Sequence, residues 1–390
     1  MDALRGVALG GILIANMRGF SSPMPAYLQP YAFWHAPVDR AVQFLIDVFV
    51  SGKFLTIFAV LFGAGFAAQL ERAAVQGEAL RGVYLRRMLW LALCGAAHVA
   101  LLWWGDILLP YAVMGLLLPA FRKRSEDGIM FWCQMLYWLP AAAYVVFALL
   151  GAGAGWASEA APPHVGEISR AGAAYAGADF TAMLRQRLTD WLDFNAGFPV
   201  ILPRILACFL FGCWLWRRRV FQRPEEHGER LRRWAPWFLA VGLAGNLVSA
   251  GISAAFQPDP AAPSALGAAW WLSSSVGVPA LSLFYGSAVL LAFQIPSMRR
   301  ALSPFRAAGR TALTNYLLES AVCIWIFSGF GLGYFGRVGP LGGLALAAGI
   351  YAGQVGLSLL WLRAFRYGPM EWLWRSLTYG AFQPMRREST

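Results

Sequence analysis

Long apolar runs separated by short arginine-rich or polar connectors predict helices along this chain, since the runs are too long for strands and show no two-residue alternation. Runs of membrane-crossing length fall at about 4–20, 41–70, 85–104, 106–121, 129–155, 200–216, 234–256, 269–295, 311–330 and 340–362. The second is too long for one straight span and is interrupted at Ser51-Gly52-Lys53. Residues 53–70 then cross alone, and 37–50 form an interfacial or tilted helix. The long polar segment 156–198 holds an expected amphipathic helix near Phe180–Phe194. The expected fold is all-α, a polytopic transmembrane helix bundle of about ten spans. It is read as one domain over 1–390, with an N-terminal half (1–155), an outer segment (156–198) and a C-terminal region (199–390).

Composition sharpens this picture. Of 390 residues, 58% are hydrophobic and 13% charged, against about 25% charged in soluble domains. The deficit fits helices surrounded by lipid, with polar groups at their ends. Many of the 18 tryptophans sit at run edges, as at Trp103-Trp104 and Trp270-Trp271. The net charge of +12 is read as lipid-facing, not nucleic-acid-binding, because the arginines cluster in short loops beside apolar runs. The connectors 71–87, 122–124, 217–233 and 298–310 and the C-terminal tail are arginine-rich, whereas 21–40, 156–198, 257–268 and 331–339 are poorer for their length. This alternation puts both termini on the cytoplasmic side. Cys94, Cys133, Cys208, Cys213 and Cys323 all lie inside apolar runs without metal-ligand spacing, so neither disulfides nor a metal site are expected. No cleavable signal peptide is evident, and the abrupt opening with Asp2 and Arg5 leaves room for residues upstream.

Few residues carry chemistry. His35 lies in Trp34-His35-Ala36-Pro37 just before an apolar helix, with Pro37 suited to its first turn and Asp39 and Asp47 within the following turns. A neutral imidazole there can accept a proton or take an acyl group; the alternative is an interfacial histidine beside an aromatic belt. Asp106 opens the fourth run with His98 two turns earlier, either as a polar pair or as a helix cap. Arg5, Arg306 and Arg310 stand at helix starts on the same expected side, where phosphate groups bind well, although arginines there also touch lipid. Asn315 and Glu319, one turn apart in an apolar run, mark a polar face toward a protein interior or a cavity. Lys53 either snorkels to headgroups or lines a cavity at the helix break. Phe58-Ala-Val-Leu-Phe-Gly63 and Cys208-Phe-Leu-Phe-Gly212 echo one another, through duplication or through membrane composition alone.

Asp2-Ala-Leu-Arg5-Gly6 resembles the opening of membrane acyltransferases. Gly309-Arg-Thr-Ala-Leu-Thr-Asn-Tyr316, Arg366-Tyr-Gly-Pro-Met-Glu371 through Gly380, and Trp104-Gly-Asp106-Ile-Leu with Tyr111 together resemble the YeiB-like domain-of-unknown-function 418 family. That family is similar to the heparan-α-glucosaminide N-acetyltransferase group and, more distantly, to acyltransferase-3 proteins. The resemblance implies a multi-pass protein of the bacterial inner membrane. It would move an acyl group from cytoplasmic acyl-CoA to a periplasmic or lipid-linked acceptor, without a metal. It makes His35, followed by Asp47-Val-Phe-Val50, the catalytic candidate, with Asp39, Asp47 or Asp106 orienting the ring. It makes Arg5, Arg306, Arg310 and Asn315 candidates for the acyl-CoA side. The chain departs from acyltransferase-3 proteins at Ile14-Ala-Asn16-Met-Arg18, where those carry a histidine. The alternative function is a transporter or flippase with Lys53, Asp106, Asn315 and Glu319 along its path. The sequence is compatible with a homo-oligomer.

Overall fold

A computed structural model describes residues 1–76, 80–153, 165–196, 198–256 and 264–387. The connectors expected at 71–87, 156–198 and 257–268 therefore lie partly outside the described residues. The elements are α1 (Asp2–Ser21), α2 (Met24–Leu28), α3 (Pro30–Phe33), α4 (Pro37–Phe49), α5 (Lys53–Gln76), α6 (Leu80–Leu101), α7 (Leu108–Gly115), α8 (Glu126–Gly153), α9 (Val165–Ala176), α10 (Phe180–Asn195), α11 (Phe198–Arg217), α12 (Gly228–Phe256), α13 (Ala265–Ala292), α14 (Pro296–Ala301), α15 (Ser303–Arg310), α16 (Ala312–Phe327), α17 (Pro340–Ala364) and α18 (Pro369–Tyr379). Among the described residues there is no strand, only an isolated bridge between Phe365 and Arg386.

The fold is an all-α bundle. Five described stretches are long and apolar enough to cross a membrane: Pro37–Arg72, Glu126–Leu150, Pro224–Phe256, Ala265–Ala292 and Pro340–Ala364. Leu108–Phe121 and Ala312–Phe327 are shorter apolar helices. Leu149, Trp237, Leu360 and Phe131 are each more than half exposed, an arrangement that suits lipid contact and would be costly in water. The break expected at Ser51-Gly52-Lys53 is present. Gly52 has φ +81° and turns the chain between α4 and α5, a conformation open to glycine because it lacks Cβ.

Contacts bring the two chain ends together. The Tyr351 hydroxyl donates to the Gly6 carbonyl, Arg310 donates to the Arg366 carbonyl at 3.0 Å, and the Arg366 amide donates to the Met385 carbonyl at 2.8 Å. We call this the basic end. At the opposite, capped end, the Gly336 amide donates to the Ser21 carbonyl at 2.7 Å, α10 packs against α6, and α9 packs against α10 and α2.

Close helix approach rests on reciprocal glycines. A Cβ on Gly6 of α1 would lie 1.9 Å from the Phe305 carbonyl oxygen of α15, and one on Gly309 would lie 1.8 Å from that of Asp2. The echoed motifs form a second pair. A Cβ on Gly63 of α5 would meet the Phe209 oxygen at 1.9 Å, and one on Gly212 of α11 would meet the Val60 oxygen at 1.9 Å. The two echoed segments thus touch each other through equivalent positions, each glycine against the carbonyl three residues before its counterpart.

Glu371 of α18 caps α16 from outside. Its Oε1 accepts from the Leu313 and Thr314 amides at 2.6 and 3.1 Å, and its Oε2 accepts from the Thr314 hydroxyl at 2.6 Å. These are donors that a helix start leaves without intrahelical acceptors. Burial pushes this carboxyl above its ordinary range, while the bonds from Thr314 pull it back. Glu371→Ala is expected to cost about 2 kcal/mol, read as a lower thermal midpoint in detergent. A midpoint equal to wild type would show that the cap contributes nothing.

At the capped end, fully buried Arg187 of α10 donates to the Ala100 carbonyl of α6 at 2.7 Å. Asp190 accepts from the Tyr175 hydroxyl at 2.6 Å and from Gln186 at 2.8 Å. Burial raises the Asp190 carboxyl to about 6. The folded state then binds a proton that the unfolded chain releases, so this site adds stability as pH falls from about 6 to about 4. The shift corresponds to about 3 kcal/mol over that window. Asp190→Asn is expected to flatten the pH dependence of thermal unfolding there; an unchanged slope would assign it to other groups.

Candidate active site

Helix α6 ends at Leu101, just after His98, and the chain then turns through Trp103 and Trp104 into α7. The Leu102 and Trp103 amides both donate to the His98 carbonyl, at 2.8 and 2.9 Å, which closes the helix at this histidine. Asp106, in the turn, accepts from the Leu109 amide at 2.7 Å through Oδ2, so it caps α7. Its other oxygen, Oδ1, lies 3.0 Å from His98 Nδ1, with both side chains fully buried. The two atoms touch, but out of line for a straight hydrogen bond. Gly95 permits this approach: a Cβ there would lie 2.5 Å from the Leu109 nitrogen and 2.9 Å from Asp106 Oδ2.

On the other side of the ring, His98 Nε2 lies 2.8 Å from the Ser320 hydroxyl of α16. Ser320 is itself 3.4 Å from the Tyr316 carbonyl. The Tyr316 ring sits 5.0 Å from the imidazole, and its hydroxyl accepts from the Ile107 amide at 3.3 Å. With the ring proton on Nδ1 facing the carboxylate, Nε2 is left to accept from Ser320. Serine, imidazole and carboxylate then stand in the order used for nucleophilic acyl transfer. Nearby Glu319 is buried, with Oε1 unpaired among the described residues.

Two cavities flank this group, one reaching Tyr316 and the other Asp106, while Ser320 and His98 line neither. One, of about 190 Å³ at the basic end, is lined by Arg5, Arg87, Arg310, Tyr84, Tyr316 and Trp374 among others. The second, of about 170 Å³ toward the capped end, includes Asn16, Tyr27, Trp103, Trp104, Asp106 and Phe194. Ile107 and Tyr111 line both and form the wall between them. His98 lies eleven residues beyond Arg87 on α6, about 16 Å along the helix.

The structure distributes the residues expected from sequence. His35 is exposed in the link between α3 and α4, with no hydrogen bond or ion pair to its ring among the described residues. Asp39 accepts from the Leu341 amide at 2.9 Å and caps α17. Asp47 is filled by Arg18, Gln43, Ser51 and Tyr31. Neither aspartate faces His35; of the four acid–base candidates, only Asp106 meets an imidazole, and it is that of His98. Arg5, which also pairs with Asp2 at 3.0 Å, and Arg310 share the basic cavity, whereas Arg306 is exposed and not among its lining residues. Asn315 donates to Ser358 at 3.0 Å and Thr311 at 3.1 Å, tying α16 to α17 instead of facing that cavity.

Arg87, stacked 4.2 Å from the Trp374 ring centroid, and Ser320 are additional members. Nothing local in the sequence singles out Ser320, which is 222 residues from its histidine partner. The His98 and Asp106 pair was visible as a two-turn spacing.

The family described as "Protein of unknown function (DUF418)" matches residues 215–381. The chain is similar along its length to the uncharacterized protein YxaH of Bacillus subtilis (strain 168), 30% identical over 406 residues, covering 100% of this chain and 96% of the relative. It is 28% identical to an uncharacterized 39.9 kDa protein from the amylase 3′ region of Bacillus acidopullulyticus, covering 99% and 94% of the two chains. It is 29% identical to the uncharacterized protein YeiB of Escherichia coli (strain K12), covering 98% and 97%. No solved structure matches the chain.

Proposed function

Starting from a chain that belongs to the DUF418 family of multi-pass membrane proteins, we propose that it is a membrane-embedded acyltransferase acting through Ser320, His98 and Asp106. One observation carries the reading: a buried serine–imidazole–carboxylate array, with contacts of 2.8 and 3.0 Å, packs against Tyr316, which lines a cavity together with three arginines.

In this reading the basic end faces the cytoplasm of a bacterial inner membrane, following the distribution of arginines. Arg5, Arg87 and Arg310 receive the phosphates of acyl-CoA, and its acyl-bearing arm runs toward Tyr316. Asp106 holds the imidazole with Nε2 toward Ser320. As Ser320 Oγ attacks the thioester carbonyl carbon, its proton passes to His98. The carbon–sulfur bond breaks, and the leaving thiolate takes that proton. The acyl group is then an ester on Ser320. An acceptor hydroxyl or amine entering from the Asp106 side gives its proton to His98 and attacks the ester carbonyl. Ser320 leaves as the alkoxide and recovers the proton. The role expected for His35 thus passes to His98, which has both a carboxylate and a hydroxyl in contact.

The test is incubation of purified protein with radiolabelled acetyl-CoA, followed by peptide mapping. The expected result is one acetyl group on the peptide containing Ser320, absent in Ser320→Ala. Absence of both acyl-CoA binding and any acyl adduct would remove the enzymatic reading. Acyl-independent solute flux in vesicles would then favour the transporter.

A further inference from the structure

A third cavity, of about 150 Å³, lies at the capped end between the α4–α5 break and the hairpin of α12 and α13. Its walls include Arg18, Asp47, Lys53, Asn246, Ser274 and Trp270. The charges there do not balance. Asp47 Oδ1 accepts from Arg18 at 3.3 Å, Gln43 at 3.0 Å and Ser51 at 2.9 Å, and its Oδ2 accepts from Tyr31 at 2.9 Å. That carboxylate is fully engaged by these donors. Lys53 is 1% exposed and donates to the Asp47 backbone carbonyl. It forms no ion pair with a carboxylate among the described residues. An ammonium has three donors, so the single protein acceptor leaves two unused. The Arg18 Nε is likewise without an acceptor among the described residues.

With Lys53 protonated, two cations face one carboxylate in a buried site, an arrangement that is costly until an anion completes it. The remaining lining mixes apolar side chains with groups that can hydrogen-bond. Asn246 is 1% exposed; its amide nitrogen donates to the Gly242 carbonyl, while its Oδ1 has no donor among the described residues. Ser249, Ser253 and Ser274 add hydroxyls, and Tyr31 and Trp270 add aromatic faces.

We infer that this cavity binds the phosphodiester of a hydroxylated headgroup, of the phosphoglycerol type. The single negative charge lies on Lys53 and Arg18, and a hydroxyl donates to Asn246 Oδ1. Resting on the reading above, this ligand is the acyl acceptor. Gly52 and Val50 of the same break line the Asp106 cavity, and the Arg18 guanidinium stacks 4.5 Å from the ring of Tyr27, which lines it too. The ligand would come from the bilayer as phosphatidylglycerol or from solution as a glycerophosphodiester.

The experiment reads binding, without any acyl donor. The full chain is placed in nanodiscs containing either phosphatidylglycerol or phosphatidylcholine, and retained lipid is measured by native mass spectrometry. In parallel, the detergent-purified protein is titrated with glycerophosphoglycerol. The expected result is selective retention of phosphatidylglycerol, or saturable binding of the soluble diester, reduced at least tenfold in Lys53→Met and in Asn246→Leu. Thermal midpoints of both variants establish that each is folded; if one is not, the other decides. Equal retention of the two lipids with no binding of the soluble diester would overturn the site. Acyl-CoA binding and Ser320 labelling are independent of both arms, so failure here leaves the transferase reading standing. Failure there leaves this site as a headgroup site without a transfer role.

Discussion

Ser320→Ala is expected to lower acyl transfer about a thousandfold or more, with acyl-CoA binding nearly unchanged. The change removes one hydroxyl from a packed site and a single hydrogen bond to His98, so the protein should remain folded. His98→Ala is expected to lose transfer to a similar degree, because the acceptor of the serine proton is gone. It also leaves Asp106 Oδ1 buried without its imidazole, which costs stability. Ser320→Ala is therefore the cleaner measurement. Asp106→Asn keeps the shape but removes the charge that holds the ring, and it should reduce turnover rather than donor affinity. His35→Ala should leave transfer within a fewfold of wild type, since His35 is exposed and its ring makes no hydrogen bond or ion pair among the described residues. Loss of activity in His35→Ala with full activity in Ser320→Ala would reverse the assignment.

Gly212→Leu is expected to abolish the folded protein. Even its Cβ would lie 1.9 Å from the Val60 carbonyl oxygen and 2.8 Å from the Ala64 nitrogen. Those are backbone atoms of a helix, and they cannot swing aside as a side-chain tip can. Accommodating the change means separating α5 from α11, which breaks the reciprocal contact at Gly63 and the bond from the Cys213 thiol to the Gly63 carbonyl. A cost above about 4 kcal/mol is the expected consequence. Gly65→Ala, two residues from Gly63 on the same helix, is the control: a Cβ there meets nothing within 4 Å. It should be neutral or stabilise by up to about 1 kcal/mol through helix propensity. Size-exclusion profiles and thermal midpoints in detergent separate the two outcomes. A monodisperse Gly212→Leu protein with a wild-type midpoint would contradict the packing.

The sequence by itself determined where the helices lie, because run length and apolarity are local properties that lipid and backbone hydrogen bonding act on directly. The expected amphipathic helix near Phe180–Phe194 appears as Phe180–Asn195, and the interruption at Ser51-Gly52-Lys53 as a left-handed glycine between two helices. The polar pair of His98 and Asp106 was also visible, since its two members lie close together on neighbouring segments of the chain. Only the tertiary structure decided which polar residues meet. Asp39 and Asp47 lie on the helix that follows His35, yet one caps α17 and the other is filled by four donors from its surroundings. Ser320 reaches His98 from far along the chain, and Glu371 finds its role at the start of another helix. A helix offers all its faces to possible neighbours, and apolar periodicity is weak where lipid and protein interior are alike in polarity. The rotation and pairing of the helices therefore follow from close contacts such as Gly63 with Gly212, which a linear pattern does not contain.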